Sequence, residues 1–341
     1  MPGECRLAVV GLGQWARKAY LPNIERLEGV RIEALSTRSA ANMDAALALL
    51  REKPRIYSDC EQLLRDGGFD ALIVATASPS HSAVAGAALA AGYPVLCEKP
   101  LALTLEESRA LTATARERGL ALQVALEFRH APVFVKAAAL IEQGAVGTPV
   151  LTECCIFRDK KKGVSEEPER YLQHGGVFVE FLCHYLDIVT WLSAGQPERV
   201  SCQAGRHLDT DVYDYGAIEV EHSNGALAVT QYALVAPGTC QQISFRVLGE
   251  TGRMDISLRE GRILLAAEGE PQTLTMPEPG HPSQPYPGSL EQIRSFVEAV
   301  RCGEPARPDA QIWTQVMAIG AAAARSVAER CPVTLRDLSK Q

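Results

Sequence analysis

The sequence has no apolar run long enough for a membrane span, no excess of basic charge and no paired-cysteine motif. Its most apolar stretch, residues 83–97, is rich in Ala and Gly and contains Pro94. It falls short of the ~20 residues a spanning helix needs. Lys and Arg number 34 against 41 Asp and Glu, a formal net charge of -7. That balance denies the chain the basic footprint of a nucleic-acid or membrane-surface protein. Lys160-Lys161-Lys162 is a local exception and reads as a solvated loop, with an anion-binding site as the alternative. Ten cysteines are present without a Cys-x-x-Cys spacing. They read as reduced, mostly buried thiols of a cytoplasmic protein. Cys154 and Cys155, neighbours in an expected strand, should point to opposite faces and form no bond. Nothing at the start resembles a signal peptide, because Arg6 is followed almost at once by a strand and a glycine turn. Internal repeats and low-complexity tracts are missing too. At 341 residues the size favours two domains.

Residues 5–127 alternate short apolar runs with helical patterns. The runs are Leu7–Val10, Ile32–Leu35, Ala71–Thr76, Pro94–Cys97 and Ala121–Leu126. Ser58-Asp59-Cys60-Glu61 and Thr104-Leu105-Glu106-Glu107 both match a capping box. Strands apolar on both faces and separated by helices predict a doubly wound parallel α/β sheet, covered on both sides. From about residue 150 the texture changes. Segments near 150–157, 198–207, 212–221, 226–235 and 241–248 follow one another across turn signals such as Ser223-Asn224-Gly225. They predict an antiparallel or mixed sheet in an α+β domain. One helix is expected over 176–191, with two more over 290–301 and 310–329, and the Pro-rich stretch 277–287 reads as a surface loop. The expected division is 1–127 and 128–341, with the helix 310–329 a candidate to pack back on the first domain.

Gly11-Leu12-Gly13-Gln14-Trp15-Ala16 follows an apolar strand and opens a helix. This is the context the dinucleotide fingerprint requires. Gly11 permits the tight turn, Gly13 lets the backbone approach a pyrophosphate, and Ala16 stands where a third glycine often lies. The helix start then offers free N–H groups and a positive dipole end to phosphate. NAD enzymes usually carry an acid after the second strand, about 20 residues past the turn. Here that region reads Leu35-Ser36-Thr37-Arg38-Ser39. It has no acid, and Arg38 with its neighbouring hydroxyls, Thr37 among them, suits a 2′-phosphate, so NADP is expected to be at least tolerated beside NAD.

Oxidising a secondary alcohol removes a hydride from carbon and a proton from oxygen. A site must accept that proton and stabilise the charge developing on oxygen. Lys99 follows the strand Pro94–Cys97 at the carboxyl edge, where open α/β sheets bind ligands. Pro100 cannot donate to a ladder, so the strand should end there and present Lys99. Glu180, His184 and Asp187, at spacings of four and three, fall on one face of the expected helix. A His beside a carboxylate is a tunable base near neutral pH. No further ligand cluster at zinc-like spacing accompanies them, so no metal is expected. The histidines at 130, 174, 207, 222 and 281 read as structural or surface groups. Arg158, near a strand end, is a candidate substrate contact for a hydroxyl or carboxylate.

At this point the chain resembles the glucose–fructose oxidoreductase / inositol dehydrogenase family (Gfo/Idh/MocA) over nearly all its length. The resemblance rests on Gly11–Ala16, on Ala75-Thr76-Ala77-Ser78-Pro79-Ser80-His81 and on Tyr93-Pro94-Val95-Leu96-Cys97-Glu98-Lys99-Pro100-Leu101. It continues through Phe128-Arg129-His130-Ala131-Pro132 and the segment from Gly175-Gly176 to Asp187. The resemblance implies a Rossmann domain followed by a large open, mostly antiparallel sheet that often mediates a homo-dimer or tetramer. It implies that Lys99 touches both nicotinamide and substrate oxygen, that His184 accepts the proton, and that Glu180 stands at the position of the catalytic carboxylate. Thr76, Ser78, Pro79 and His81, with Glu98 and Lys99, would line the cofactor cleft. Members commonly have aspartate where this chain has Glu180, glycine where it has Leu182 and asparagine where it has Glu127. The implied activity is NAD(P)-dependent interconversion of a secondary alcohol and a ketone on a sugar, cyclitol or related polyol. Two rivals stand beside it: a glycosidase-type enzyme that recycles a tightly bound NAD, and a non-catalytic dinucleotide-binding sensor.

Overall fold

Each of the five apolar runs of the N-terminal half becomes a buried strand in the computed structural model, which describes residues 4–173, 175–276 and 287–338. The strands are β1 Cys5–Val10, β2 Val30–Ser36, β4 Ala71–Val74, β5 Val95–Cys97 and β6 Leu122–Val124, with a short β3 at Arg55–Tyr57. All pair in parallel, in the order β3-β2-β1-β4-β5-β6. β3 was not foreseen, because three residues at a sheet edge, with Ile56 exposed, carry no apolar run. Leu7, Val9, Leu35, Ile73 and Leu96 build the core of this unit. The helix Ser289–Cys302 covers it, because its Ile293, Phe296, Val297 and Val300 repeat at the spacing of one helical face.

Side chains set the helix starts. Thr104 Oγ1 accepts from Glu107 N at 3.2 Å, as a capping box demands. At the other expected box the cap is Asp59 rather than Ser58: its carboxylate accepts from Glu61 N at 3.0 Å. An Asp acceptor reaching the second helical N–H does the same work one residue later.

Nine strands form the second sheet: β7 Pro149–Phe157, β8 Pro197–Gly205, β9 Tyr215–His222, β10 Leu227–Ala233, β11 Gln242–Gly249, β12 Arg253–Ser257, β13 Arg262–Ala266, β14 Gln272–Thr275 and β15 Val333–Thr334. Their order is β14-β13-β12-β11-β7-β10-β9-β8-β15. β7 and β10 run parallel, and every other pair is antiparallel. β12 to β14 lie beyond the last strand the sequence suggested; they are short and turn-rich, and so weakly patterned.

One face of this sheet is packed. Thr152, Cys154 and Ile156 of β7 and Phe245 and Val247 of β11 are buried there. Helices Pro132–Glu142 and Cys183–Leu192 cover them, with Phe134 edge-on to Phe245 at 4.8 Å and Tyr185 stacked on it at 6.2 Å. The other face is polar and open. There Arg246 spans Asp255 at 2.7 Å and Glu153 at 3.4 Å. Cys154 and Cys155 do point to opposite faces, and all ten cysteines are free.

The chain divides into two compact units. The described residues up to His130, with those from 287 to Thr314, form one; those from Ala131 to 276 and from Gln315 onward form the other. The helix Ser289–Cys302 thus joins the N-terminal sheet, whereas a contiguous second domain was expected to contain it. The helix Gln311–Glu329 is divided at Thr314: Thr314 Oγ1 meets Ser108 Oγ at 2.9 Å in the first unit, and Ser326 Oγ accepts from Cys202 N at 3.0 Å in the second. The Pro-rich loop expected over 277–287 lies outside the described residues except for Pro287, as do His174 and His281. Among the described residues no helix is long and apolar enough to cross a membrane.

Candidate active site

Strand register sets a row of residues at the carboxyl edge of the first sheet. Ser36, Val10, Val74, Cys97 and Val124 are successive partners across β2, β1, β4, β5 and β6. The next residues, Thr37, Gly11, Ala75, Glu98 and Ala125, therefore stand side by side. The winding reverses between β1 and β4, the switch point at which such sheets leave a crevice.

Gly11 and Gly13 meet different needs. Gly11 has φ +91°, and a Cβ there would overlap the backbone of Ala75 and Thr76. A Cβ at Gly13 would meet nothing within 4 Å, so its main chain borders open space. That open space beside a bare backbone fits a diphosphate. Leu12 and Ala16 are buried and hold the turn to the core, and Gln14 is exposed. Ala16–Tyr20 is a π-helical turn that continues into the α-helix Leu21–Ile24.

At the end of β2, Thr37 Oγ1 accepts from Ser39 N at 3.3 Å and Ser39 Oγ from Asn42 N at 3.2 Å. Arg38 is exposed, and among the described residues no carboxylate lies within ion-pair distance of it. After β4, Thr76 and Ser78 are half-buried and Pro79 is exposed. His81 is fully buried: its Nδ1 lies 2.7 Å from Pro100 O and its Nε2 3.0 Å from Thr76 O. Both ring nitrogens are thus committed to backbone carbonyls, and His81 ties the loop after β4 to the loop after β5. It shapes the crevice wall instead of reaching into it.

Glu98 anchors the segment that carries Lys99. Its carboxylate accepts from Tyr20 Oη at 2.6 Å, from the Lys99 backbone N–H at 3.2 Å and from the Trp15 indole. Burial raises the Glu98 carboxyl above its ordinary range, against the opposing pull of Tyr20, Lys99 and His81. Tyr20 is raised as well, by burial first and then by the Glu98 charge. Lys99 itself is half-buried.

Glu127, in the short 3₁₀ turn Glu127–His130, is a buried carboxyl near this group. Burial and the Glu98 charge push it up to about 8, with Lys99 opposing. An unfolded glutamate titrates near ~4.3, so between that pH and about 8 the folded chain holds a proton the unfolded chain has lost. Glu127 therefore costs stability increasingly as pH rises through this window. Glu127→Gln keeps the neutral shape and removes the linkage. Its melting temperature relative to the parent is expected to climb by several degrees between pH 5.5 and pH 9. Parallel pH profiles for the two proteins would refute the assignment.

In the second unit the single helix expected over 176–191 is two helices, Gly176–Glu180 and Cys183–Leu192. Phe181 and Leu182 both donate to Val177 O, at 3.1 and 3.0 Å, which closes the first helix. Glu180 is its last residue and His184 the second residue of the next, so they do not share an uninterrupted helical face. Gly175 and Gly176 begin this segment with φ of +88° and +70°. A Cβ on Gly175 would lie 2.7 Å from the Val179 side chain, so the glycine pair lets the chain fold tightly over its own next turn.

The Glu180 carboxylate is largely buried, with Arg170 Nε 4.0 Å from its Oε1. His184 is half-buried, and its Nδ1 is shielded from solvent. Asp187 is only 1% exposed. Arg158, just past β7, is held by backbone bonds from its N–H to Ala233 O at 2.8 Å and from Ala236 N to its carbonyl at 3.2 Å. Among the described residues no group of three or more His, Cys, Asp or Glu side chains is arranged to hold a metal ion. Tyr20 and Arg170 carry no sequence signal for their places here, and Glu127 stood out only as a departure from a common asparagine. Tyr20 lies 78 positions from Glu98, and only the fold joins them.

Two family descriptions match the chain: an oxidoreductase family with an NAD-binding Rossmann fold over residues 5–126, and a GFO/IDH/MocA C-terminal domain over residues 134–255. The chain belongs to the Gfo/Idh/MocA oxidoreductase family. Its relatives include myo-inositol 2-dehydrogenase of Thermotoga maritima, 22% identical over 98% of this chain and 99% of the relative. Another is scyllo-inositol 2-dehydrogenase (NAD(+)) of Bacillus subtilis, 27% identical over 98% and 97%. A crystal structure of an oxidoreductase from Agrobacterium radiobacter, in complex with NAD+, L-tartaric acid and magnesium, superposes with a TM-score of 0.89 at 20% identity. It covers 98% of this chain and 99% of that one. The family fixes the nature of the first unit as an NAD-binding oxidoreductase fold.

Proposed function

We propose that this family member is an NAD(P)-dependent dehydrogenase that interconverts a secondary alcohol and a ketone on a sugar, cyclitol or related polyol. The observation that carries the reading is the carboxyl-edge row, in which the glycine turn, the Ala75–His81 loop and Glu98-Lys99 follow adjacent strands. The names of the inositol dehydrogenase relatives support the substrate class. A bound nicotinamide would supply the hydride acceptor for alcohol oxidation and the donor for the reverse reaction. Gly11 and Gly13 admit the diphosphate, and Thr76, Ser78 and Pro79 border it, with the wall fixed by His81. The Lys99 ammonium holds the substrate oxygen and stabilises the charge that develops there. His184 takes the hydroxyl proton, and Glu180 is the carboxylate that serves it. Glu98, fixed by Tyr20 and Trp15, is a positioning residue for Lys99.

Arg38 and the lack of an acid after β2 support acceptance of NADP. The open polar face of the second sheet, on which Leu248 stays exposed, supports a homo-oligomer formed through that face. A panel of sugars, cyclitols and their keto forms, followed by reduced-cofactor absorbance with NAD and NADP in parallel, tests the activity. Turnover is expected on at least one ring polyol, and Arg38→Ala is expected to lower the NADP-to-NAD ratio of kcat/KM about tenfold. Cofactor binding with no turnover on any member of the panel would refute the activity. A strong NAD preference already present in the parent would refute the role of Arg38.

A further inference from the structure

From Thr152 to Ile156 β7 alternates, with Thr152, Cys154 and Ile156 facing the packed side of its sheet. The chain continues extended past Phe157: Arg158 N donates to Ala233 O at 2.8 Å, Lys160 N donates to Leu234 O at 2.7 Å, and Asp159 bridges Val235. That bridge is antiparallel, unlike the parallel β7–β10 pairing before it, and Arg158 and Lys160 keep the even spacing of the packed-face residues Thr152, Cys154 and Ile156. Asp159 is exposed, 3.9 Å from Lys161. Arg158 and Lys160 are half-buried. Among the described residues neither has a carboxylate within ion-pair distance. The Lys160 ammonium is pushed below its ordinary range by burial, then by the charges of Arg158 and Arg170. Arg170 is in turn the residue 4.0 Å from Glu180.

Lys160 thus feels the charges of Arg158 and Arg170, and of the three only Arg170 has an acidic neighbour, the carboxylate of Glu180. Half-burying like charges without a counter-ion destabilises a fold. Lys160 and Arg158 are both partly covered, whereas Arg170 is exposed. A group that completes the set must be an anion, and a neutral polyol has none to offer.

We infer that the substrate carries an oxyanion, bound by Arg158 and Lys160 within the charge field of Arg170, so that the preferred class is a polyhydroxy acid or a sugar phosphate and not a neutral cyclitol. This rests on the dehydrogenase reading above and narrows its substrate. A planar guanidinium paired with a mobile ammonium suits either a carboxylate or a phosphate.

The experiment compares matched sets on one carbon skeleton: a neutral six-carbon polyol, the aldonate and uronate of that skeleton, and its phosphate monoester. Initial rates are taken on the parent and on the Arg158→Gln/Lys160→Gln double variant. The charged member is expected to exceed the neutral one in kcat/KM at least about tenfold, and the double variant to bring that ratio close to one, mainly through KM. Preference for the carboxylates or for the phosphate identifies which oxyanion the site takes. A neutral polyol preferred by the parent, or a charge preference that survives in the double variant, overturns the inference. If no compound is turned over, the dehydrogenase reading fails instead, and the anion site is judged by thermal shift with the same compounds. A rise in Tm with the charged members that is lost in the double variant upholds the site, and no rise overturns it.

Discussion

Lys99→Ala should lower turnover at least about a hundredfold with the fold intact, because the substrate oxygen loses the cation that meets its developing charge. His184→Ala should do the same for a different reason, by removing the proton acceptor. The two roles separate by assay. Loss of Lys99 removes stabilisation in both directions of reaction, with the diphosphate turn untouched, so cofactor affinity should persist. Each variant should retain the parent's circular dichroism and melting profile, since Lys99 and His184 are only half-buried and belong to no apolar cluster. Near-parental turnover in either would be fatal to its assigned role.

Gly11→Ala should abolish measurable nucleotide binding and cost about 2–5 kcal/mol of stability. Its φ of +91° is unfavourable for any residue with a Cβ. The added atom would also run into the main chain of Ala75 and Thr76, which cannot rotate away as a side chain would. Gly13→Ala is the informative partner. A Cβ there meets nothing within 4 Å, so the fold should tolerate it while nucleotide affinity falls. Chemical denaturation and NAD titration by tryptophan fluorescence read both variants. Equal affinities for all three proteins would show that this turn is not where the diphosphate lies.

Much of the first unit was legible because parallel strands buried on both faces are continuous apolar runs. β1, β4 and β5 stand where Leu7–Val10, Ala71–Thr76 and Pro94–Cys97 put them. β3 escaped because an edge strand of three residues need not be apolar. The Gly-x-Gly and Glu-Lys-Pro elements were readable because each imposes a local backbone constraint. The bond from Tyr20 to Glu98 was not, since a long-range pairing leaves no periodicity. In the second unit a helical spacing joined Glu180 to His184 on paper. The chain breaks the helix at Phe181 and Leu182, where both N–H groups turn back to one carbonyl, and residue spacing does not report such a break. Arg158 was noticed for its place near a strand end. Lys160 was read with its neighbours chiefly as solvated, because a run of three lysines does not show that the first is half-buried at a strand end while Lys161 and Lys162 begin a helix.

The glycine turn asks its surroundings for vacancies and main-chain atoms, and these persist when neighbouring side chains are exchanged. The cation group around Lys160 is made of side-chain termini alone, so one or two point replacements would rewrite it. A protein built on this plan can change its diet quickly while keeping its coenzyme.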